Sequence, residues 1–405
     1  MSFIIVYDYS VLSRLRESRR MIPIRRLRRR DFIRTGALTG LAAGVGALGG
    51  SGHPLAAMVG GPGRRAADGR VRLNSNENPL GISPAARDAL IEGIVLANRY
   101  PADRHRDLVT RLAALHEVAD SQVVLGAGSA EVLQMAVQAY AAPGAKLVMA
   151  DPAYEAVTDY QRTEAYELVK VPLTAGYEHD LDRMREVAEG SGRPALVYLC
   201  NPNNPTATIT PSAAIDAWIA DAPEHVFFIS DEAYTEYVED ERMWSSLPWI
   251  RKKRNVLVVR TFSKIYALAG LRIGYGLAHP DTAARLRDFA SRNNVNQLAL
   301  AAAAASFRDE ALLERSRRIN RESRGMVEAT LDGLGLERTP TQTNFLMHRI
   351  GGDLATYRGR MAEAGFLVGR NFPPMLEWNR VSFGLPEDMG RFCDTLRGFR
   401  RKGWI

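Results

Sequence analysis

Three residues of this 405-residue chain sit at junctions between an apolar run and a loop and carry side chains fit for covalent or ionic chemistry: Lys264, Asp231 and Arg272. Lys264 lies in Thr261-Phe-Ser-Lys-Ile-Tyr-Ala-Leu-Ala-Gly-Leu-Arg-Ile-Gly-Tyr275, directly after Asn255-Val-Leu-Val-Val259. Only six of the 53 basic residues are lysine, so one at the mouth of an apolar strand stands out. Val- and Leu-rich strands of this kind are buried on both faces of a parallel sheet. They deliver their last residues to the carboxyl edge, where open α/β sheets bind ligands. A desolvated lysine there can lose its proton and form a Schiff base with an aldehyde. The plain alternative is a solvated loop lysine. Upstream, Phe227-Phe-Ile-Ser-Asp-Glu-Ala-Tyr-Thr-Glu-Tyr237 ends a second apolar run in Asp231, with Tyr234 three residues on. An acid at a strand end can cap a helix, bind a metal or face a buried cation. Paired with Lys264, Asp231 suits the task of keeping a pyridine nitrogen protonated, which makes the ring an electron sink. Tyr234 would then bond the ring's phenolic oxygen.

Two features suit a phosphate. Gly126-Ala-Gly-Ser-Ala-Glu131 follows the strand-like Gln122-Val-Val-Leu125 and precedes an amphipathic, helix-like run to Tyr140. Backbone N–H groups at a helix start attract phosphate, and glycines let it come close. Arg272, eight residues after the lysine, heads the strand-like Ile273-Gly-Tyr-Gly-Leu277 and offers a two-pronged clamp. The Gly126-x-Gly128 pattern is also a partial dinucleotide fingerprint, but Glu131 takes the third glycine position. A carboxylate facing a pyrophosphate would repel it, which argues against a nicotinamide cofactor.

Together these residues resemble the fold-type I pyridoxal-phosphate enzymes, specifically the class I/II aminotransferases of the histidinol-phosphate aminotransferase group. The resemblance spans roughly residues 71 to 400. It rests on Leu73-Asn-Ser-Asn-Glu-Asn-Pro-Leu-Gly81, Arg99-Tyr-Pro101, Gly126-Ala-Gly-Ser-Ala-Glu131, Asp151-Pro-Ala-Tyr154, Cys200-Asn-Pro-Asn-Asn-Pro-Thr206, Asp231-Glu-Ala-Tyr234 and the Lys264 segment. It implies that Lys264 is the Schiff-base lysine and the base that moves a proton from Cα to C4′, and that Asp231 pairs with the pyridine nitrogen. Tyr234 and Asn204 would hold the phenolic oxygen, and Tyr154 would stack on the ring. Ser129, Ala130 (through its backbone N–H), Ser263 and Arg272 fall at phosphate-binding positions. Tyr100 resembles a tyrosine that reaches the phosphate of a neighbouring subunit, which implies a homodimer with shared sites. Arg380, in Trp378-Asn-Arg-Val-Ser-Phe383, matches the arginine for the substrate's carboxylate or phosphate, and Arg370 is a second candidate cation. The implied reaction moves an amino group between an amino donor and a 2-oxo acid. A decarboxylase or carbon–sulfur lyase would use the same lysine and aspartate, and a non-catalytic cofactor-binding protein is a remote alternative. Glu77, Asn78 and Pro79 read as an arm beside the site and receive no chemical role.

Two positions depart from the family pattern. Ala207 stands where glycine usually follows Asn-Pro-Thr, which makes the loop less permissive at positive φ. Leu80 stands where an aromatic is common after Asn-Glu-Asn-Pro, and it offers a substrate neither phenol nor ring face.

Beyond the leader, the chain is long enough for a large core and a second domain. Strand-like runs at 122–125, 146–150, 195–200, 225–230, 255–260 and 272–278 alternate with helical stretches. That pattern predicts an α/β fold with a mostly parallel central sheet and a smaller α/β domain. The expected division is a leader at 1–60, a linker at 61–70, an arm at 71–100 belonging to the small domain, a large cofactor-binding domain at 101–285, and a connecting helix with the C-terminal small domain at 286–405.

The first 70 residues hold 13 arginines, no lysine and four acids, a net of +9, whereas the remainder holds 40 basic and 42 acidic residues. The overall basicity therefore belongs to the leader and does not point to nucleic acid. Arg28-Arg-Arg-Asp-Phe-Ile-Arg34 resembles a twin-arginine export signal, with Arg29 and Arg30 as the pair. No Asp, Glu, Lys or Arg follows between Thr35 and Gly63, and Ala37 to Leu48 is too short an apolar core for a stable membrane anchor. Met21 is an alternative start. The expectation is an exported, periplasmic protein, with a cytoplasmic one as the alternative. Cys200 and Cys393, the two cysteines, neither require nor exclude an oxidising compartment.

Overall fold

The computed structural model describes residue 66 and residues 68–159 and 166–405. The Arg29-Arg30 pair, the uncharged stretch after it and most of the 61–70 linker lie outside the described residues. In chain order the strands are β1 (Val71–Leu73), β2 (Val123–Gly126), β3 (Lys146–Asp151), β4 (Glu167–Pro172), β5 (Ala195–Cys200), β6 (Val226–Asp231), β7 (Val256–Thr261), β8 (Gly274–Ala278), β9 (Phe345–Arg349), β10 (Phe366–Val368) and β11 (Trp378–Ser382). The helices are α1 (Pro84–Gly93), α2 (Ala102–Leu115), α3 (Ser129–Tyr140), α4 (Leu181–Glu189), α5 (Ser212–Asp221), α6 (Trp249–Lys252), α7 (Pro280–Arg287), α8 (Gln297–Ser306), α9 (Glu310–Gly333), α10 (Leu354–Glu363) and α11 (Pro386–Arg401).

Seven strands form one sheet in the order β2-β8-β7-β6-β5-β3-β4, and β8 alone runs antiparallel to its neighbours. This is the α/β fold with a mostly parallel sheet that the alternating runs predict. The central strands are apolar on both faces because helices cover both. Val256 and Val258 of β7 pack with α2, α5 and α8, while Leu257 and Val259 pack with α3 and α7 on the other side. Successive strand residues point to opposite faces, so a continuous apolar run is what such a strand requires.

The run 272–278 is shorter than its pattern suggests. Arg272 has φ 55, in the left-handed region, so it ends a 3₁₀ turn (Ala269–Leu271) and the strand begins at Gly274. Four further strands lie outside the main sheet. β1 pairs in parallel with β10, and β9 pairs antiparallel with β11. With α9, α10 and α11 they enclose a third core built on Leu73, Leu346, Phe366, Val381 and Phe392. Cys200 and Cys393 are both free thiols, buried in different cores. Among the described residues no helix is long and apolar enough to cross a membrane.

Candidate active site

Strands β5, β6 and β7 run parallel and end at one edge of the sheet, and each end carries site residues. The register sets Cys200 opposite Asp231 and Asp231 opposite Val259. A cavity of about 250 Å³ opens at this edge, and Ser129, Ala130, Tyr154, Asn204, Asp231, Tyr234, Ser263, Lys264 and Arg272 all line it. All nine are residues that the sequence motifs assign to the site.

At one end of the cavity, α3 begins with Ser129 and has Gly128 as its N-cap residue, with no side chain capping it. Arg272 Nη1 reaches the Ser263 hydroxyl at 3.4 Å and the Ala269 carbonyl at 3.1 Å. Gly128, at φ 83, has no room for a side chain, since a Cβ would run into the Arg272 guanidinium. A Cβ on Gly274 would likewise come within 2.9 Å of Gly128 C and Ser129 Cα. Helix start, arginine and two hydroxyls therefore converge on a cradle kept open by glycine, which is the equipment of a phosphate site. Glu131 does not face that cradle. Its carboxylate turns back to accept from the Ala127 N–H at 2.6 Å and Asn294 Nδ2 at 2.8 Å. The repulsion invoked against a pyrophosphate is therefore not what this residue supplies.

In the cavity wall, Asp231 is buried and accepts from the Tyr198 hydroxyl at 2.7 Å and the Ala233 N–H at 3.2 Å. Neither partner is a cation, and burial raises its pKa to about 6 against the pull of those bonds and of Lys264. The Ala233 bond is a local turn bond, so the capping reading of Asp231 accounts for one oxygen and leaves the other to Tyr198. Lys264 is lowered to about 8, first by burial and then by Arg380, with Glu77 and Asp231 opposing. Its Nζ lies 5.4 Å from the centre of the Tyr234 ring. Lys264 is half-buried in the cavity wall, unlike a fully solvated loop lysine. Among the described residues no cluster of His, Cys, Asp or Glu could hold a metal ion.

Asn204 Oδ1 accepts from Arg380 Nη1 at 2.7 Å, which leaves the Asn204 amide N–H groups as donors. Arg380 also donates to the Asn74 carbonyl at 2.8 Å. It is only 7% exposed, and burial lowers it to about 10. Tyr154 is 37% exposed, so part of its ring is open. Arg370 stands at the surface in an ion pair with Glu155 at 2.6 Å and over the Phe372 ring at 4.4 Å. Tyr100 is 85% exposed and is not part of the cavity wall. Leu80 lines a separate cleft of about 500 Å³ that shares Glu77, Ser263 and Ala269 with the Lys264 cavity. Ala207 does take a positive φ, 67°, despite its methyl group, and packs on Tyr234 and Phe345.

Two residues escaped the sequence reading. Tyr198 is one, and its signal was available: it lies two residues before Cys200 on β5, so it shares a sheet face with Asp231 on the neighbouring strand. Asn76 is the other. Its Nδ2 donates to the Tyr234 hydroxyl at 3.0 Å, across 158 positions of sequence that no local pattern spans.

The cavity thus offers an anion cradle, a buried carboxylate bonded to no cation, an amine that gives up its proton more readily than a free lysine and donors for an oxygen. That set fits pyridoxal phosphate, whose phosphate, ring nitrogen, aldehyde and phenolic oxygen need those partners.

Residues 69–396 match the family model for aminotransferase class I and II. Histidinol-phosphate aminotransferase 1 of Cupriavidus pinatubonensis is 37% identical over 333 residues, covering 81% of this chain and 88% of that protein. The solved structure of an Erwinia carotovora atroseptica protein assigned by name to the same activity superimposes with a TM-score of 0.82 at 38% identity, covering 84% of this chain and 99% of that one. A Sinorhizobium meliloti histidinol-phosphate aminotransferase, solved with pyridoxal-5′-phosphate, gives 0.75 at 27% identity, covering 82% and 90%. Motif, geometry and likeness agree, and the chain belongs to the class I and II aminotransferase family.

Proposed function

We propose that this pyridoxal-phosphate-dependent aminotransferase takes an α-amino acid as donor and a 2-oxo acid as acceptor, and holds the carboxylate of each on Arg380. The observation that carries this reading is Arg380 itself. It is a buried guanidinium that makes no ion pair among the described residues, and its Nε has no hydrogen-bond partner there. An uncompensated buried cation is costly, and a carboxylate that completes the pair repays that cost through charge-assisted bonds.

In this reading Asp231 keeps a proton on the ring nitrogen, with Tyr198 fixing the carboxylate's other side. Tyr234 and Asn204 donate to the phenolic oxygen, and Tyr154 covers the ring. Ser129, Ala130, Ser263 and Arg272 take the phosphate. When bound, pyridoxal phosphate supplies the electron sink that makes the substrate's Cα–H bond acidic. Lys264 Nζ, whose proton is more easily lost than a free lysine's, is the group placed to take that proton and return it.

Histidinol phosphate is the second reading. It is favoured by the name of the Cupriavidus relative and by Arg370, whose charge is felt at Arg380. Against it stands Leu80, which gives the adjoining cleft an apolar wall and no phenol. The kcat/KM for histidinol phosphate, measured beside a panel of amino acids, decides between them. We expect an amino acid to win, and a preference of about a hundredfold for histidinol phosphate, roughly 2.7 kcal/mol, would reverse the assignment.

Two wider features belong to the proposal. The enzyme works as a homodimer in which Tyr100 of each subunit serves the other's phosphate. The exposed Ile94, Val95 and Leu96 beside Tyr100 support this, as an apolar surface of the kind that subunits bury. Export through the Arg29-Arg30 signal rests on sequence alone.

A further inference from the structure

Asn76 sits in the arm between β1 and α1, fully buried at φ 54, and its hydrogen bonds have a direction. The backbone N–H of Asn76 donates to Ser382 Oγ at 2.8 Å, and that hydroxyl donates to Asn76 Oδ1 at 3.0 Å. A backbone N–H can only donate, so the serine oxygen is its acceptor and the serine proton is available to the amide oxygen. With Oδ1 engaged, the Nδ2 end faces Tyr234 and donates to its hydroxyl. Asn344 Nδ2 pins the arm by bonding the Asn76 carbonyl at 3.0 Å. Among the described residues the Tyr234 hydroxyl accepts the Asn76 bond and donates none.

We propose that Asn76 is a positioning residue: through the chain Ser382–Asn76–Tyr234 it aims the tyrosine's proton into the Lys264 cavity, so that Tyr234 meets the cofactor as a donor. The proposal rests on the pyridoxal-phosphate reading above. A phenol has one proton. If its oxygen accepts from Asn76, the proton leaves in another direction, and Tyr234 lines the cavity on that side. Lys264, Arg380, Asp231 and the Cys200 thiol also act on Tyr234 through space. None of them bonds its hydroxyl, so none fixes which way the proton points.

Asn76→Asp is the decisive variant. It keeps the side-chain shape, tolerates the left-handed backbone and still accepts from Ser382, but it replaces the donor facing Tyr234 by an acceptor. The tyrosine proton then turns away from the cavity. The readout is the pH midpoint of the visible absorption of the cofactor-loaded protein, with the cofactor Kd measured alongside. An ionised oxygen that loses a donor is harder to ionise, so the midpoint rises by about one pH unit. Ser382→Ala frees the amide to turn over and gives a smaller rise, which keeps the test available should Asn76→Asp fold poorly. In a Tyr234→Phe background Asn76→Asp keeps only the through-space effect of its new charge, so its shift shrinks, because the residue it acts through is gone. An unchanged midpoint in Asn76→Asp, or a shift of the same size in the Tyr234→Phe background, overturns the proposal. If the unaltered protein binds no pyridoxal phosphate, the cofactor reading itself falls, which is a different result.

Discussion

Lys264 is held under conditions that favour its neutral form, and this has consequences that can be measured. Its folded value, about 8, lies below the ordinary 10.5, so the folded protein binds fewer protons on this group within that window. Stability from this group therefore grows as pH rises from about 8 towards 10.5. The free amine is also the proposed nucleophile, so capture of pyridoxal phosphate by the apo protein should accelerate with pH and level off above about 8. A rate still climbing at its steepest near pH 10 would mean an unperturbed lysine. Asp231 shows the opposite sign. Its pKa is raised from 3.8 to about 6, so the folded state loses stability as pH rises through that interval, and the full penalty persists above it. Asp231→Asn should thus raise the thermal midpoint of the apo protein at pH 8 while cutting amino transfer by about 100-fold or more. Calorimetry and turnover on one preparation check both, and a variant that is less stable as well as less active would contradict the account.

At the scale of elements, the site depends on how closely β8 passes the start of α3. Gly274 lies against Gly128 and Ser129, so Gly274→Ala must push the phosphate cradle apart. Its affinity for pyridoxal phosphate should drop at least about tenfold, a loss of about 1.4 kcal/mol, and an unchanged Kd would remove the cradle from the argument. Ala207→Gly tests a softer point. Relief of a left-handed alanine is worth about 1 kcal/mol, while the lost methyl contributes about 0.8 kcal/mol and the freer unfolded chain a further fraction. Stability measured in denaturant should therefore change little, although the sequence reading had treated this position as a constraint on the loop. Much of the site was legible because its residues sit at the ends of apolar strands, each with a local marker such as Ser-Lys or Asn-Pro-Asn-Asn-Pro. Arg272 was legible as a site residue but not as a strand end, since nothing in Leu-Arg-Ile announces a left-handed backbone. β1 and β10, of three residues each, are too short for any period to emerge. The bonds that join Asn76 to Ser382 cross 306 positions and belong to tertiary structure alone.

The whole molecule joins a large sheet that carries the cofactor site to a second group of strands and helices that carries Arg380 and Ser382, and the arm from β1 bridges them at Asn74 and Asn76. The proposed shared sites make a prediction at this scale. Tyr100→Phe and Lys264→Ala, each impaired alone, should regain activity when mixed and allowed to exchange subunits, because one hybrid site is then intact. Absence of any recovery, with exchange shown to occur, would confine Tyr100 to its own chain. The proposed export makes another: changing Arg29 and Arg30 to lysine should leave the protein in the cytoplasm, and an unaltered protein that also stays there would dismiss the signal. The account as a whole turns on amino transfer at Lys264. A single turnover of the loaded protein with an amino acid and no acceptor tests this most directly. It should release one equivalent of the matching 2-oxo acid per site, regenerate on addition of a 2-oxo acid, and do neither in Lys264→Ala. Release of carbon dioxide in place of the 2-oxo acid, or full turnover by Lys264→Ala, would contradict it.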